Sequence, residues 1–149
     1  MLNKRQILDL IPHRPPFLWI DRVAELDAGV RCVALKFVDP SEVLFEGHFP
    51  GNPILPGVII IEAAAQTAAV MLGSQTHANH AASSGIGASR NRLLAAVNRF
   101  KFLKPVKPGS ELRIETRKVS ELGAMAYVAV TVHVDSDLIA RGELAVTSA

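Results

Sequence analysis

His48 and Glu62 are the two side chains whose type and setting point most directly to chemistry. His48 lies in Glu46-Gly47-His48-Phe49-Pro50-Gly51-Asn52-Pro53, and Pro56-Gly57 follow before an apolar run begins. Proline fixes φ and glycine permits conformations other residues avoid, so such a loop holds one shape. A positioned general base needs that rigidity. Glu62 is the one ionisable side chain in the run Val58 to Leu72, which only Gln66 and Thr67 otherwise interrupt. Burial there would favour the neutral carboxyl, the form in which a glutamic acid donates a proton near neutral pH. Gln66 stands four residues beyond Glu62 and shares its helix face. Taken singly, each residue also has a structural reading. His48 could be a hydrogen-bonded loop histidine, and Glu62 an ion-pair partner of an arginine.

These groups need elements to carry them. A helix apolar on every side is a buried helix. At fifteen residues, Val58 to Leu72 falls short of the ~20 of a bilayer span, and its carboxylate argues further against one. Pro56 suits the first turn and Gly73 the exit. Upstream, Lys4 to Ile11 reads as a short amphipathic helix ended by Pro12, followed by strands at Phe17 to Val23 and Val30 to Val38. Downstream, Ser74 to Asn91 is small and polar, a flexible connection or an irregular helix extension. Leu93 to Lys104 then reads as a strand closed by Pro105-Val106-Lys107-Pro108-Gly109. Leu112, Ile114 and Thr116 alternate with Arg113, Glu115 and Arg117, and Ala126 to Val134 alternates likewise. Asp135-Ser136-Asp137 turns the chain into a last strand, Leu138 to Thr147. Short connections imply antiparallel pairing, so the expected architecture is α+β, one domain over residues 1–149 with a sheet wrapped round a central helix.

Composition narrows the function classes. With 49% apolar and 20% charged residues the chain is globular, and a net charge of +2 gives nucleic-acid binding no support. Cys32 is the single cysteine, which excludes an internal disulfide and a cysteine-rich metal site; its apolar strand makes it a buried structural thiol. Met1 to Pro16 has no continuous apolar core of a secretory signal, so a cytoplasmic protein is expected. Gly85-Ile86-Gly87 follows no strand and does not complete a dinucleotide fingerprint. His77 and His80 lack an evident third ligand, so a solvated loop is expected there rather than a metal site.

The motifs together resemble a known family. Pro12-His13-Arg14, Phe17-Leu18, Asp21-Arg22-Val23, Gly47 to Pro53, Pro56-Gly57-Val58 and Glu62-Ala63-x-Ala65-Gln66 closely resemble the FabZ-type 3-hydroxyacyl-[acyl-carrier-protein] dehydratases. Asn98-Arg99-Phe100-Lys101-Phe102-x-Lys104-Pro105-Val106-x-Pro108-Gly109 is similar to that family's strand and turn. The resemblance implies the hot-dog fold, with a long antiparallel sheet curled round one helix. It also implies dehydration of a 3-hydroxyacyl thioester to the trans-2-enoyl thioester, in fatty-acid or related polyketide or aryl-polyene biosynthesis. His48 would be the base and Glu62 the acid, directly or through a water, facing each other across a dimer. Backbone N–H groups near Gly57 would polarise the thioester carbonyl and Gln66 would orient Glu62. Gly57, Val58, Phe49 and Gln66 are the implied substrate-binding residues, with no metal or organic cofactor. The implied partner is an acidic acyl-carrier protein, met by Arg92, Arg99, Lys101 and Lys104. The implied assembly is a homodimer or a trimer of dimers, with no membrane partner. His13 and Arg14 are read as bracing the N-terminal segment.

The chain also departs from the family pattern. Pro15 replaces a common aromatic between Arg14 and Pro16, and Ala64 replaces a bulkier methionine. Gating and chain-length choice would differ accordingly. The competing readings are an acyl-thioester hydrolase and a non-catalytic hot-dog subunit; the latter predicts loss of His48 or Glu62, and both are present. The bifunctional dehydratase/isomerases carry aspartate where Glu62 stands.

Overall fold

Asn3 starts the first element. Its side chain accepts a hydrogen bond from the Gln6 N–H while the Gln6 side chain accepts from the Asn3 N–H, which caps helix α1, Lys4–Leu10. Strands β1 (Arg22–Asp27) and β2 (Arg31–Phe37) follow, then a 3-10 turn at Val43–Glu46 and helix α2, Gly57–His80. The remaining strands are β3 (Arg92–Phe102), β4 (Glu111–Leu122), β5 (Met125–Val134) and β6 (Asp137–Ser148). This computed structural model describes residues 1–80 and 91–148. Gly85-Ile86-Gly87 lies outside them.

All six strands join one antiparallel sheet in the order β1-β2-β4-β5-β6-β3. Its inner face holds Cys32, Ala34, Leu112, Ile114, Val128, Val130 and Val132, all buried against α2. The alternation read in β4 and β5 therefore marks the face turned to the helix. Burial pushes the Cys32 thiol up to about 12, which makes it the inert structural group expected. On the outer face Arg31 bonds both Glu25 and Glu115, and Arg113 and Arg117 complete the cluster.

Two expectations need correction. The first strand is not Phe17 to Val23: β1 starts at Arg22, and the chain from Phe17 to Asp21 has no regular structure. That segment bonds to α2 instead, through backbone groups of Phe17 and Trp19. The second correction concerns α2, which runs for 24 residues and carries Ser74 to His80 as helix, with His77 on its last turns. Gly73 is not its exit. A Cβ there would stand 3.0 Å from the Leu10 carbonyl oxygen, so glycine is needed for the crossing of α1 over α2. By length and composition α2 could cross a membrane, so the fifteen-residue argument against a span does not stand. Its packing against β2 and β4 gives its apolar sides their cover.

Candidate active site

The His48 loop is shaped by its own backbone. Phe49 and Asn52 exchange N–H···O bonds, and the Ile54 N–H donates to the His48 carbonyl at 2.9 Å. Leu55 N–H donates to Val106 O at 2.8 Å and ties the loop to the β3–β4 connection. Gly51 takes φ +75°, a conformation that favours glycine. The imidazole Nδ1 lies 2.8 Å from the Ile54 carbonyl oxygen. A carbonyl can only accept, so the neutral ring carries its proton on Nδ1 and its lone pair on Nε2. Nε2 is thereby the free base. The Phe49 ring stacks on the imidazole at 4.2 Å between centroids and is half exposed.

His48 lines a cavity with Ile54, Gly57, Val58, Ile61 and Phe102. α2 begins at this cavity, with the Pro56 carbonyl accepting from the N–H groups of Ile59 and Ile60. A Cβ on Gly57 would stand 2.8 Å from Phe102 Cζ, so glycine lets the ring lie against the helix start. The first N–H groups of a helix have no intrahelical acceptor and carry the positive end of its dipole. They suit a developing oxyanion.

Glu62 is held differently. Its Oε1 accepts from Gln66 Nε2 at 3.0 Å and lies 3.5 Å from His13 Nε2. Gln66 Nε2 also donates to Phe17 O at 2.9 Å, while Gln66 Oε1 accepts from the Trp19 N–H at 2.8 Å. Gln66 is fully buried with both amide hydrogens spent. Its amide is committed to Glu62 and to the backbone of Phe17 and Trp19. Glu62 itself is not fully buried, since 23% of its side chain is exposed where it meets a second cavity. That cavity measures about 180 Å³ and is also lined by His13, Ala65, Arg92, Leu93 and Leu94. Arg14 braces its own segment, donating to the Ile11 and His13 carbonyls. His13, read from sequence as a brace alone, also faces the carboxylate; Pro12-His13-Arg14 was the signal available for it.

Within one chain the structure does not bring His48 and Glu62 to a common cavity. The two cavities share no lining residue among the described residues. Ile61 faces one and Glu62 the other, as neighbours about 100° apart round a helix must. Val58, a turn before Glu62, is 70% exposed.

A family model described as a FabA-like domain matches residues 11–143. A 3-hydroxyacyl-[acyl-carrier-protein] dehydratase FabZ of Geotalea uraniireducens is 40% identical over 148 residues, covering 99% of this chain and 97% of the relative. The chain belongs to the FabZ dehydratase family. Another FabZ dehydratase, of Symbiobacterium thermophilum, is 46% identical over 127 residues, 81% of this chain and 83% of that one. Among solved structures, the dehydratase heterocomplex ApeI:P from Xenorhabdus doucetiae matches with a TM-score of 0.76 at 18% identity, over 96% of this chain and 90% of that chain. A hypothetical thioesterase with coenzyme A from Streptococcus pneumoniae matches with a TM-score of 0.63 at 10% identity, over 86% of this chain and 84% of that chain. At those identities the likeness is one of fold, and the fold is the hot-dog fold.

The basic residues separate. Arg99 and Lys101 line a groove on the sheet with Arg141, whereas Lys104 is engaged with Asp137 at 2.9 Å. Arg92 lines the Glu62 cavity and not that groove.

Proposed function

We infer that the protein dehydrates 3-hydroxyacyl-[acyl-carrier-protein] to the trans-2-enoyl thioester, and that each active site is built from two copies of the chain. His48 Nε2 removes the C2 proton. The charge that develops on the thioester oxygen meets the N–H groups near Gly57. Glu62 protonates the C3 hydroxyl, which departs as water, and the proton taken up by His48 then passes to the Glu62 carboxylate, directly or through water, which restores both groups. Phe49 and Val58 border the acyl path.

The observation that carries this reading is the division of the reactive groups between two cavities of one protomer. Strand β3 supports it. β3 is an edge strand with no buried residue, and it leaves Leu93, Leu94, Val97 and Phe102 exposed. An apolar edge of that kind is a pairing site, and a second copy both covers it and supplies the missing half of each site. Mixing His48→Ala and Glu62→Gln chains tests this. A mixed dimer holds one site with both residues intact, so activity should return to about half that of wild type per mixed dimer. No recovery in a verified mixed dimer would sink the two-chain site. Thioester cleavage without dehydration would favour a hydrolase, and inactivity of wild type a binding subunit.

Arg99 and Lys101, beside Arg141, are the proposed landing place for the acidic carrier, with Lys104 at its margin. Arg99→Glu with Lys101→Glu should raise KM for acyl-carrier substrate several-fold and leave kcat for a small pantetheine thioester alone. An unchanged carrier KM would remove the assignment. The whole chain works as one domain, since the core joins Ile7 to Val146; a single unfolding transition checks it. The pathway is read from chain preference, and best turnover of saturated chains would favour fatty-acid synthesis over polyketide or aryl-polyene assembly.

A further inference from the structure

Arg92 brings a charge into the Glu62 cavity that nothing in the dehydration uses. Its Nη1 donates to Ser148 Oγ at 2.6 Å and its Nη2 to Thr76 Oγ1 at 3.0 Å. Both partners are neutral hydroxyls, and Arg92 belongs to none of the ion pairs among the described residues. Its Nε is buried with no hydrogen-bond partner, and so is His13 Nδ1. Arg92 thus lines the cavity with a positive charge that no ion pair among the described residues neutralises. The other described lining residues, Leu93, Leu94, Ala65 and Val146, are apolar. Glu62, the one carboxylate among the cavity's described lining residues, is already held by Gln66.

We propose that Arg92 makes this cavity selective for acyl chains that end in an oxyanion, with a chain-terminal carboxylate as the group it receives. This rests on the dehydratase reading above. A chain whose C3 hydroxyl lies at Glu62 extends along the apolar wall of Leu93 and Leu94 and brings a nearby carboxylate to Arg92. The guanidinium supplies planar, charge-assisted donation, and the apolar wall gives that donation its strength by excluding water. Glu62 and Arg92 line the same cavity, so the carboxylate follows the C3 hydroxyl within a few carbons and a dicarboxylic acyl group of about five carbons is the class that fits. The other oxyanion a carrier-borne substrate offers is the phosphate of its pantetheine arm. The whole length of the arm separates that phosphate from the reacting carbons, and a cavity this small does not span both.

The test is calorimetric and needs no turnover. The affinities of three thioesters are measured with the full-length protein: glutaryl-pantetheine, pentanoyl-pantetheine and pentanoyl-4′-phosphopantetheine. Wild type should prefer the glutaryl to the pentanoyl compound roughly tenfold or more, the range a charge-assisted hydrogen bond supplies. Arg92→Met should abolish the preference, and Arg92→Lys should keep part of it. Arg92 also ties α2 to β6, so the quantity compared is the ratio of two affinities within one variant. Equal affinities in wild type, or a glutaryl preference that survives Arg92→Met, would overturn the proposal. A preference confined to the phosphopantetheine compound and lost in Arg92→Met would overturn it too, in favour of the carrier's phosphate. If the glutaryl preference depends on Arg92 but wild type dehydrates no 3-hydroxyacyl carrier, the subsite stands and the dehydratase reading alone falls.

Discussion

The two cavities of this chain hold their reactive groups by opposite means. At His48 the backbone does the work: one carbonyl six residues on sets the tautomer, and reciprocal N–H···O bonds between Phe49 and Asn52 hold the loop. At Glu62 side chains do it. Gln66 gathers the carboxylate and the backbone of Phe17 and Trp19, segments more than forty residues away in sequence. The proposed base is therefore placed by local structure and the proposed acid by tertiary structure. Damage should spread differently from each.

The largest effects test the endpoints. His48→Ala and Glu62→Gln should each lower kcat by about 10²–10⁴-fold, the range for loss of a general base or acid, with the fold retained by circular dichroism. A much smaller loss in one variant would show that its cavity is not where the proton moves. Gln66→Ala should break the contrast from the acid side alone. It unpairs a buried N–H and a buried carbonyl, each worth about 1–3 kcal/mol, so chemical denaturation should show a loss of about 2–4 kcal/mol. kcat should fall more than KM rises, because Gln66 touches Glu62 and not the substrate.

Gly57→Ala probes the other side. The new methyl meets the Phe102 ring, and overpacking of this sort costs about 1–3 kcal/mol. Phe102→Ala in the same chain should relieve that cost, and additive losses would show that the two do not touch. The smallest effect belongs to the outer face of the sheet, remote from both cavities. A hydrogen bond from Arg31 holds the Glu115 carboxyl below its ordinary value of 4.5. A lowered folded-state pKa stabilises above the unfolded value and is lost as pH falls through the folded one. Stability should thus drop below about pH 4.5, and Glu115→Gln should flatten that drop by about 1 kcal/mol or less without changing kcat. An unchanged acid limb would show that the pair contributes nothing.

Much of this protein was legible before any coordinates. The central helix, the alternation of β4 and β5 and the rigid His48 loop all follow from short-range spacing, and the structure has each of them. The readings that needed revision share a different feature. Gly73 looked like a helix exit, but glycine serves there to let Leu10 approach. Phe17 to Asp21 looked like a strand because it is apolar, but the Phe17 carbonyl and the Trp19 N–H bond to Gln66 of α2, and the Asp21 N–H reaches β2, at Leu35. In each case the deciding contact lies far away in sequence.

The sequence by itself determined the candidates for moving protons, the buried helix and the family. Those depend on residue type and on spacings of a few positions, where backbone geometry leaves little choice. Tertiary structure alone decided that His48 and Glu62 open onto different cavities, that Gln66 is spent on three partners, and that Arg92 lines the cavity of Glu62. Each depends on which distant segments the curled sheet brings against α2. No local pattern records that, because the free energy that selects it comes from packing the whole chain at once.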